Sequence, residues 1–335
     1  MTHHLAFMQR AIALSENALG RTAPNPIVGA VIVATDGSVI AEGFHDRAIS
    51  NDHAEVVALK IAGDRAKGAT MFVTLEPCNH TGTTGPCTQA IIDAGIATVV
   101  YAVSDPNTVA AGGAATLTAA GIEVVAGVGT DEAAHSNRAW LTKILKGRPF
   151  ITWKIAATLD GKVAAADGTS KWITNEASRA DVQKVRRGVD AIMVGTQTVI
   201  ADDPHLIPRD DVKATNPLRI VCGTQALPKS AKVFDEAAQT RVIASKDLKV
   251  VAAELRATGA NHILLESGPT LATAMLQAGM LDELMLYQGA SVLGAGKNFV
   301  ADLGVTTVDS AISLTRISTE TFGDDVKSIY RIASK

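Results

Sequence analysis

The sequence predicts an α/β protein of two domains, and three observations lead there. Apolar runs of strand length alternate with segments whose apolar residues recur every three to four positions, first over residues 27–145 and again over 150–287. A polar, Gly/Pro-marked break at Lys146-Gly147-Arg148-Pro149 separates the two series. A chain of 335 residues, 47% of them hydrophobic, also exceeds what one ordinary core holds. The domains are therefore expected at 1–146 and 147–335.

In the first domain, Leu5, Met8, Ile12 and Leu19 fall at helical spacing and predict an opening helix. Residues 27–34 read as a buried strand, Asp36-Gly37 as a hairpin turn and 39–43 as the returning strand. A helix over 54–66, a strand over 70–75, a helix over 88–93 stopped by Gly95 and a strand over 98–103 follow. A helix over 114–120 stopped by Gly121, a strand over 122–125 and a closing helix over 131–145 complete the series. The alternation predicts a largely parallel sheet between helical layers. In the second domain, strands at 150–156, 191–194, 218–221, 263–265 and 283–287 alternate with helices at 176–187, 250–257 and 270–277. Two late strands, 312–318 and 327–332, predict an antiparallel end to that sheet.

Composition removes several function classes. The formal charge is −3, no run of Lys or Arg stands out and aromatics are 4%, so neither the basic footprint nor the stacking platform of a nucleic-acid binder is present. No basic segment leads into an apolar stretch, and no apolar run is long enough for a membrane span, which predicts neither a signal peptide nor a membrane association. The three cysteines, Cys78, Cys87 and Cys222, fit a reducing cytoplasm, with thiols free or bound to metal. Cys222 sits in a predicted strand and reads as an inert core thiol.

Three pieces carry the chemistry of the first half: His53-Ala54-Glu55, Glu76-Pro77-Cys78 and Gly85-Pro86-Cys87. One imidazole and two thiolates make a three-ligand zinc site whose fourth position stays open for water, the mark of a catalytic centre. Zinc brings the acidity of such a water near neutrality. A carboxylate that does not bind metal must then move protons, and Glu55 is the candidate, as in the H-x-E and P-C pattern of base deaminases. Residues two apart on a helix point about 200° away from each other. His53 and Glu55 must therefore sit where the helix begins, with Asn51 or Asp52 as N-cap. A structural zinc would need a fourth protein ligand, for which His80 is the one competitor.

These boxes, together with Pro24 to Ala30, Thr74 to His80 and Asp105-Pro106-Asn107, resemble the deaminase half of the bifunctional riboflavin-biosynthesis deaminase/reductase family. The eight-residue gap between the two cysteines is that family's spacing. The resemblance implies a cytidine-deaminase-like three-layer domain that removes an amino group from a diamino-pyrimidinone carrying ribose 5-phosphate. It implies that Asn25 holds the pyrimidine ring and that Asp105 and Asn107 lie near the ribosyl phosphate. Two departures stand out: Thr83 occupies a position where many members carry a cation, and the loop from His45 to His53 lacks the family's Gly and Pro. They keep open an alternative, a deaminase of another nucleoside or nucleotide fused to a reductase of different substrate.

Local signals in the second half are weaker. Leu264 to Thr270 runs from strand through turn to helix, which suits either phosphate binding or an ordinary connection. Gly294-Ala295-Gly296 lacks the further glycine of a dinucleotide fingerprint and is a decoy. Lys154, Lys171, Arg186 and Arg209 each read alone as solvated surface cations, while together they could read phosphates on both cofactor and substrate, and Asp202-Asp203-Pro204 could be no more than a turn. The segments Thr152 to Lys162, Gly168 to Thr174, Val194-Gly195, Thr198 to Leu206, Arg209 and Glu266 to Leu271 resemble the reductase half of the same family. That resemblance implies a dihydrofolate-reductase-like domain, NADPH as hydride donor and a homo-oligomer. Carried over by position, Ala156, Trp172, Thr198, Asp202 and the turn Gly268, Pro269, Thr270, Leu271, Ala272, Thr273 and Ala274 would contact the cofactor. Ser170, Arg186, Leu206, Arg209 and Glu266 would contact the phosphorylated pyrimidine substrate.

Overall fold

The computed structural model describes residues 2–47, 49–81, 85–209 and 215–333. The chain divides into two compact units, Met1–Gly147 and Arg148–Lys335. Thr83 lies outside the described residues.

The first unit runs α1 (Thr2–Glu16), β1 (Gly29–Val33), β2 (Val39–Phe44), α2 (Ala54–Ala62), β3 (Thr70–Leu75), α3 (Cys87–Asp93), β4 (Thr98–Val103), α4 (Gly113–Ala119), β5 (Glu123–Ala126), α5 (Thr130–Ser136) and α6 (Arg138–Lys146). Its strands form one five-stranded sheet in the order β2-β1-β3-β4-β5. The central strands are apolar throughout because both faces are covered. Ala30, Ile32, Met71, Val73, Val99 and Tyr101 meet Ala54, Ala58, Ile91 and Leu117 on one side. Val31, Val33, Phe72 and Val100 meet Met8, Ile12 and Ala133 on the other. The sheet is mixed, not largely parallel: β1 is antiparallel to both β2 and β3, and only β3-β4 and β4-β5 run parallel. The single closing helix expected over 131–145 is two helices, broken at Asn137. The Asn137 amide donates to the Ile27 carbonyl at 2.6 Å and its Oδ1 accepts the Ile27 N–H at 3.0 Å.

The second unit runs β6 (Phe150–Thr158), β7 (Lys162–Ala164), α7 (Glu176–Arg187), β8 (Ala191–Gly195), α8 (Thr196–Asp202), β9 (Leu218–Cys222), β10 (Thr240–Ile243), α9 (Leu248–Ala257), β11 (His262–Leu265), α10 (Pro269–Gln277), β12 (Glu283–Gly289), β13 (Lys297–Asn298), β14 (Leu314–Phe322) and β15 (Asp325–Ile332). Eight strands form a sheet in the order β10-β9-β8-β11-β6-β12-β15-β14. The six from β10 to β12 are parallel, and β15 and β14 add the expected antiparallel end. Residues of α9 and α10 (Val251, Leu255, Ala272, Met275) cover one face through Ile151, Trp153 and Ile155. Val182 of α7 packs on Met285 and Tyr287, and Val199 of α8 on Ile192, Val194 and Leu264, on the other. Helix α8, the edge strand β10 and the short pair β7-β13 were not expected from the sequence. Among the described residues no helix is long and apolar enough to cross a membrane.

Candidate active sites

Three loops converge at one end of the first sheet. His53 is itself the N-cap of α2, with extended backbone (φ −76°, ψ 162°), so neither Asn51 nor Asp52 takes that place. The cap residue must leave helical geometry, and doing so lets His53 and Glu55 face the same space. The helix seats closely on β2: a Cβ on Gly43 would stand 2.5 Å from the Ala54 carbonyl oxygen, which only glycine avoids. Cys78 lies in the loop after β3, and Cys87 opens α3 with Pro86 as N-cap.

His53 Nδ1 lies 3.5 Å from Cys78 Sγ and 3.3 Å from Cys87 Sγ, and the three donor atoms are all within 4.8 Å of one another. Tetrahedral zinc, with Zn–S about 2.3 Å and Zn–N about 2.0–2.1 Å, sets N–S edges of roughly 3.5 Å. The donor set fits zinc in type, number and spacing. His80 borders the same cavity but stands outside the donor group. A hydrogen bond with Cys87, aided by His53 and opposed by burial, draws the Cys78 thiol down to about 4, and the Cys87 N–H donates to the Cys78 sulfur at 3.5 Å. Thiolate is the metal-binding form. The contact with Cys78 raises His53, against its burial.

Glu55 is 3% exposed, and burial lifts its carboxyl above the ordinary range, with the Cys78 charge adding and His53 opposing. A cavity of about 310 Å³ opens onto this cluster. Asn25, Asp105 and Asn107 border it alongside Glu55, His53 and Cys78, while Cys87 lies fully buried behind the wall. Sequence reasoning missed two others. His45 is buried and gives its Nδ1 proton to the Asp52 carbonyl at 2.9 Å, leaving Nε2 to accept from the Asn25 amide at 3.2 Å. Glu76 accepts the N–H groups of Asp105 (3.2 Å) and Ala114 (3.0 Å). The His45–His53 loop is thus tied down through His45 and through Asp46, which pairs with Arg21 at 2.9 Å.

In the second unit a cavity of about 900 Å³ lies over the C-terminal ends of the parallel strands, the usual ligand position of an open α/β sheet. Ala156, Ser170, Trp172, Thr198, Asp202, Glu266, Gly268, Pro269, Thr270, Leu271 and Ala274 line it. Ala272 and Thr273 are instead buried in α10, where Thr273 Oγ1 accepts the Ala301 N–H at 2.9 Å. Leu206 is 2% exposed and turned into the core with Val194 and Val199. Arg186, Leu206 and Arg209 are not part of the cavity wall. The turn at Asp202-Asp203 is the end of α8, with Asp203 left-handed at φ 41°. Neither Gly294 nor Gly296 lines the cavity, but Cys222 does, with burial pushing its thiol up to about 11.

Two of these cations are largely withdrawn from solvent, the Lys154 side chain 17% and the Arg186 side chain 12% exposed. Arg186 closes both arms of its fork on Glu266, at 2.7 and 2.8 Å, and Lys154 stands 3.9 Å from the same carboxylate. Burial opposes ionisation of Glu266, but Arg186 and then Lys154 outweigh it and hold the carboxyl down at about 2. Lys154 lies mid-strand in β6 and Glu266 just past the end of β11, and they meet because those two strands are parallel neighbours, a pairing no local sequence signal shows. Trp172 is 63% exposed over the cavity, with the Arg179 guanidinium 4.5 Å from its ring centre.

A family model of the cytidine and deoxycytidylate deaminase zinc-binding region matches residues 1–103, and one of the RibD C-terminal domain matches residues 149–328. The riboflavin biosynthesis protein RibD of Mycobacterium tuberculosis H37Rv is 44% identical over 323 residues, covering 95% of this chain and 94% of that protein. RibD of Escherichia coli K12 is 40% identical over 86% of this chain and 88% of its own. Among solved structures, a diaminohydroxyphosphoribosylaminopyrimidine deaminase/5-amino-6-(5-phosphoribosylamino)uracil reductase from Thermotoga maritima superposes with a TM-score of 0.91 at 33% identity, covering 99% of each chain. RibD of Acinetobacter baumannii superposes at 0.89 and 35% identity, again over 99% of each chain.

Proposed function

The chain belongs to the RibD family of riboflavin-biosynthesis deaminase/reductases, and from that membership we propose that residues 1–146 and 147–335 catalyse two consecutive steps on one pyrimidine. The first is hydrolytic deamination of 2,5-diamino-6-ribosylamino-4(3H)-pyrimidinone 5′-phosphate. The second is NADPH-dependent reduction of the ribosyl group to ribityl. The observation that carries the reading is the His53, Cys78 and Cys87 donor cluster with Glu55 buried beside it.

In the first domain His53, Cys78 and Cys87 would hold zinc, which when bound would supply an activated water at neutral pH. Glu55 takes a proton as water adds to the amino-bearing ring carbon and returns one to the departing nitrogen, which leaves as ammonia. Burial raises its proton affinity, which suits the second task. Asn25, held by the neutral His45, meets the polar edge of the pyrimidine. Asp105 and Asn107 border the ribosyl phosphate end.

In the second domain NADPH, when bound, would supply the hydride that reduces C1 of the opened sugar. Ala156, Trp172, Thr198, Asp202, Gly268 to Leu271 and Ala274 bind the cofactor across the strand ends. Ser170 and Glu266 meet the substrate, and Arg186 acts through Glu266, whose charge it compensates. The protein would work in the cytoplasm on this small molecule, not on nucleic acid. We also propose a homo-oligomer: β14 is the last strand of the large sheet, and its residues are mostly exposed.

Ammonia release from the diamino-pyrimidinone phosphate without NADPH tests the first step. Zinc-loaded protein should release ammonia, and chelator-stripped protein should not until zinc is returned. Release that ignores the chelator, or none from folded zinc-loaded protein, would overturn the reading and move another nucleotide to the front.

A further inference from the structure

The metal loop and the loop that carries Asp105 and Asn107 are joined at one side chain. Glu76 is 8% exposed and spends each carboxylate oxygen on a backbone N–H at one end of the second loop: Oε2 on Asp105 at 3.2 Å and Oε1 on Ala114, in the first turn of α4 where that loop ends, at 3.0 Å. Its own N–H donates to the Val103 carbonyl at 2.8 Å. Two contacts next to it draw the loops together. Asn79 N–H donates to the Ala110 carbonyl at 3.0 Å. A Cβ on Gly113 would fall 1.9 Å from the Pro77 carbonyl oxygen, so this approach requires glycine.

The arrangement is specific in its chemistry. Charge-assisted hydrogen bonds to backbone N–H groups are stronger than neutral ones, and a buried N–H left facing another donor is costly. Glu76 lies two residues before Cys78, and Asp105 carries the next turn, its carboxylate accepting the Asn107 N–H at 2.8 Å. Both loops border the cavity of about 310 Å³. We propose that Glu76 is a positioning residue for deamination: it fixes the Asp105–Asn107 turn against the metal loop, so that the ribosyl phosphate end of the substrate is gripped at a set distance from the reacting ring carbon. This rests on the activity proposed above.

The test is Glu76→Gln in the full zinc-loaded chain. The amide keeps the shape but presents one NH₂ to a backbone donor, so one of the two bonds is lost. KM for the phosphorylated substrate should rise at least about tenfold and kcat should fall much less. The preference for phosphorylated over dephosphorylated substrate should shrink by a similar factor. Zinc content and reduction of supplied deaminated substrate should stay at the wild-type level. An unaltered KM, or a fall confined to kcat or zinc content, would overturn the assignment. A wild-type chain that releases no ammonia would instead overturn the proposed activity, which separates the two failures. Should Glu76→Gln not fold, hydrogen exchange of the wild-type protein decides. The Asp105 and Ala114 amides should then exchange at least about tenfold slower than the Val109 amide, which bonds only an exposed side chain. Equal rates would overturn the proposal.

Discussion

Glu55→Gln should reduce ammonia release by a factor of about 10²–10⁴ or more, the range expected for losing a proton-transferring side chain. Zinc should stay bound, because Glu55 is not among the donors. The substitution is nearly isosteric in a site that is 3% exposed, so it perturbs packing little. It removes a buried carboxyl that borders the cavity beside the donor cluster, whereas Glu76, which also borders it, spends both oxygens on backbone N–H groups. Reduction of a supplied deaminated substrate should be as fast as in the unaltered protein. Zinc analysis and the two separate assays check the result. Loss of both activities together would mean that the chemistry is not divided between the domains as proposed.

The second large effect is expected at Glu266. Its carboxylate lies between the Arg186 fork and the Lys154 ammonium, all three nearly buried. Glu266→Gln leaves two buried cations without their counter-charge, and breaking such a pair costs about 3–5 kcal/mol. Thermal unfolding of the reductase unit should move down by several degrees or more, and NADPH oxidation with substrate should be lost. Ammonia release should persist. The same ion cluster sets a pH dependence. Glu266 is depressed to about 2 from an ordinary 4.5. Its contribution is therefore fully present above 4.5 and disappears as pH falls through about 2. Glu266→Gln should remove that part of the acid sensitivity, as read by unfolding midpoints between neutral and low pH.

The donor cluster was legible in the sequence because chemistry restricts it to a few residue types at fixed separations. His53, Cys78 and Cys87 announce themselves, and the two-residue step to Glu55 forces a helix start, which the structure supplies. Strand positions were legible because apolar runs covered on both faces leave little ambiguity. What escaped depends on pairing across distance. The partners of Glu76 are backbone groups 29 and 38 residues away, and backbone groups carry no residue identity. Lys154 and Glu266 meet because β6 and β11 are neighbours, and strand order is not written in any local pattern. Helix α8 was missed because TQTVIAD is short and rich in β-branched residues. The break between α5 and α6 was missed because Asn137 trades helix continuity for two bonds to Ile27.

Those two bonds work as a buckle. With its donor and acceptor both spent on Ile27, Asn137 copies one rung of strand pairing and fastens the stretch from Pro24 to Val28, on which Asn25 is carried. The zinc-binding region matched by the family model ends at residue 103, well before the buckle. Metal retention and substrate selection should therefore differ in the minimal length each needs. A fragment of residues 1–129 keeps His53, Cys78, Cys87 and all five strands of the sheet but loses the strap on the Asn25 segment, together with Trp140 and Ile144 of the cavity wall. It should retain zinc on gel filtration and yet turn over substrate at least about tenfold more slowly than residues 1–147, with most of the deficit in KM.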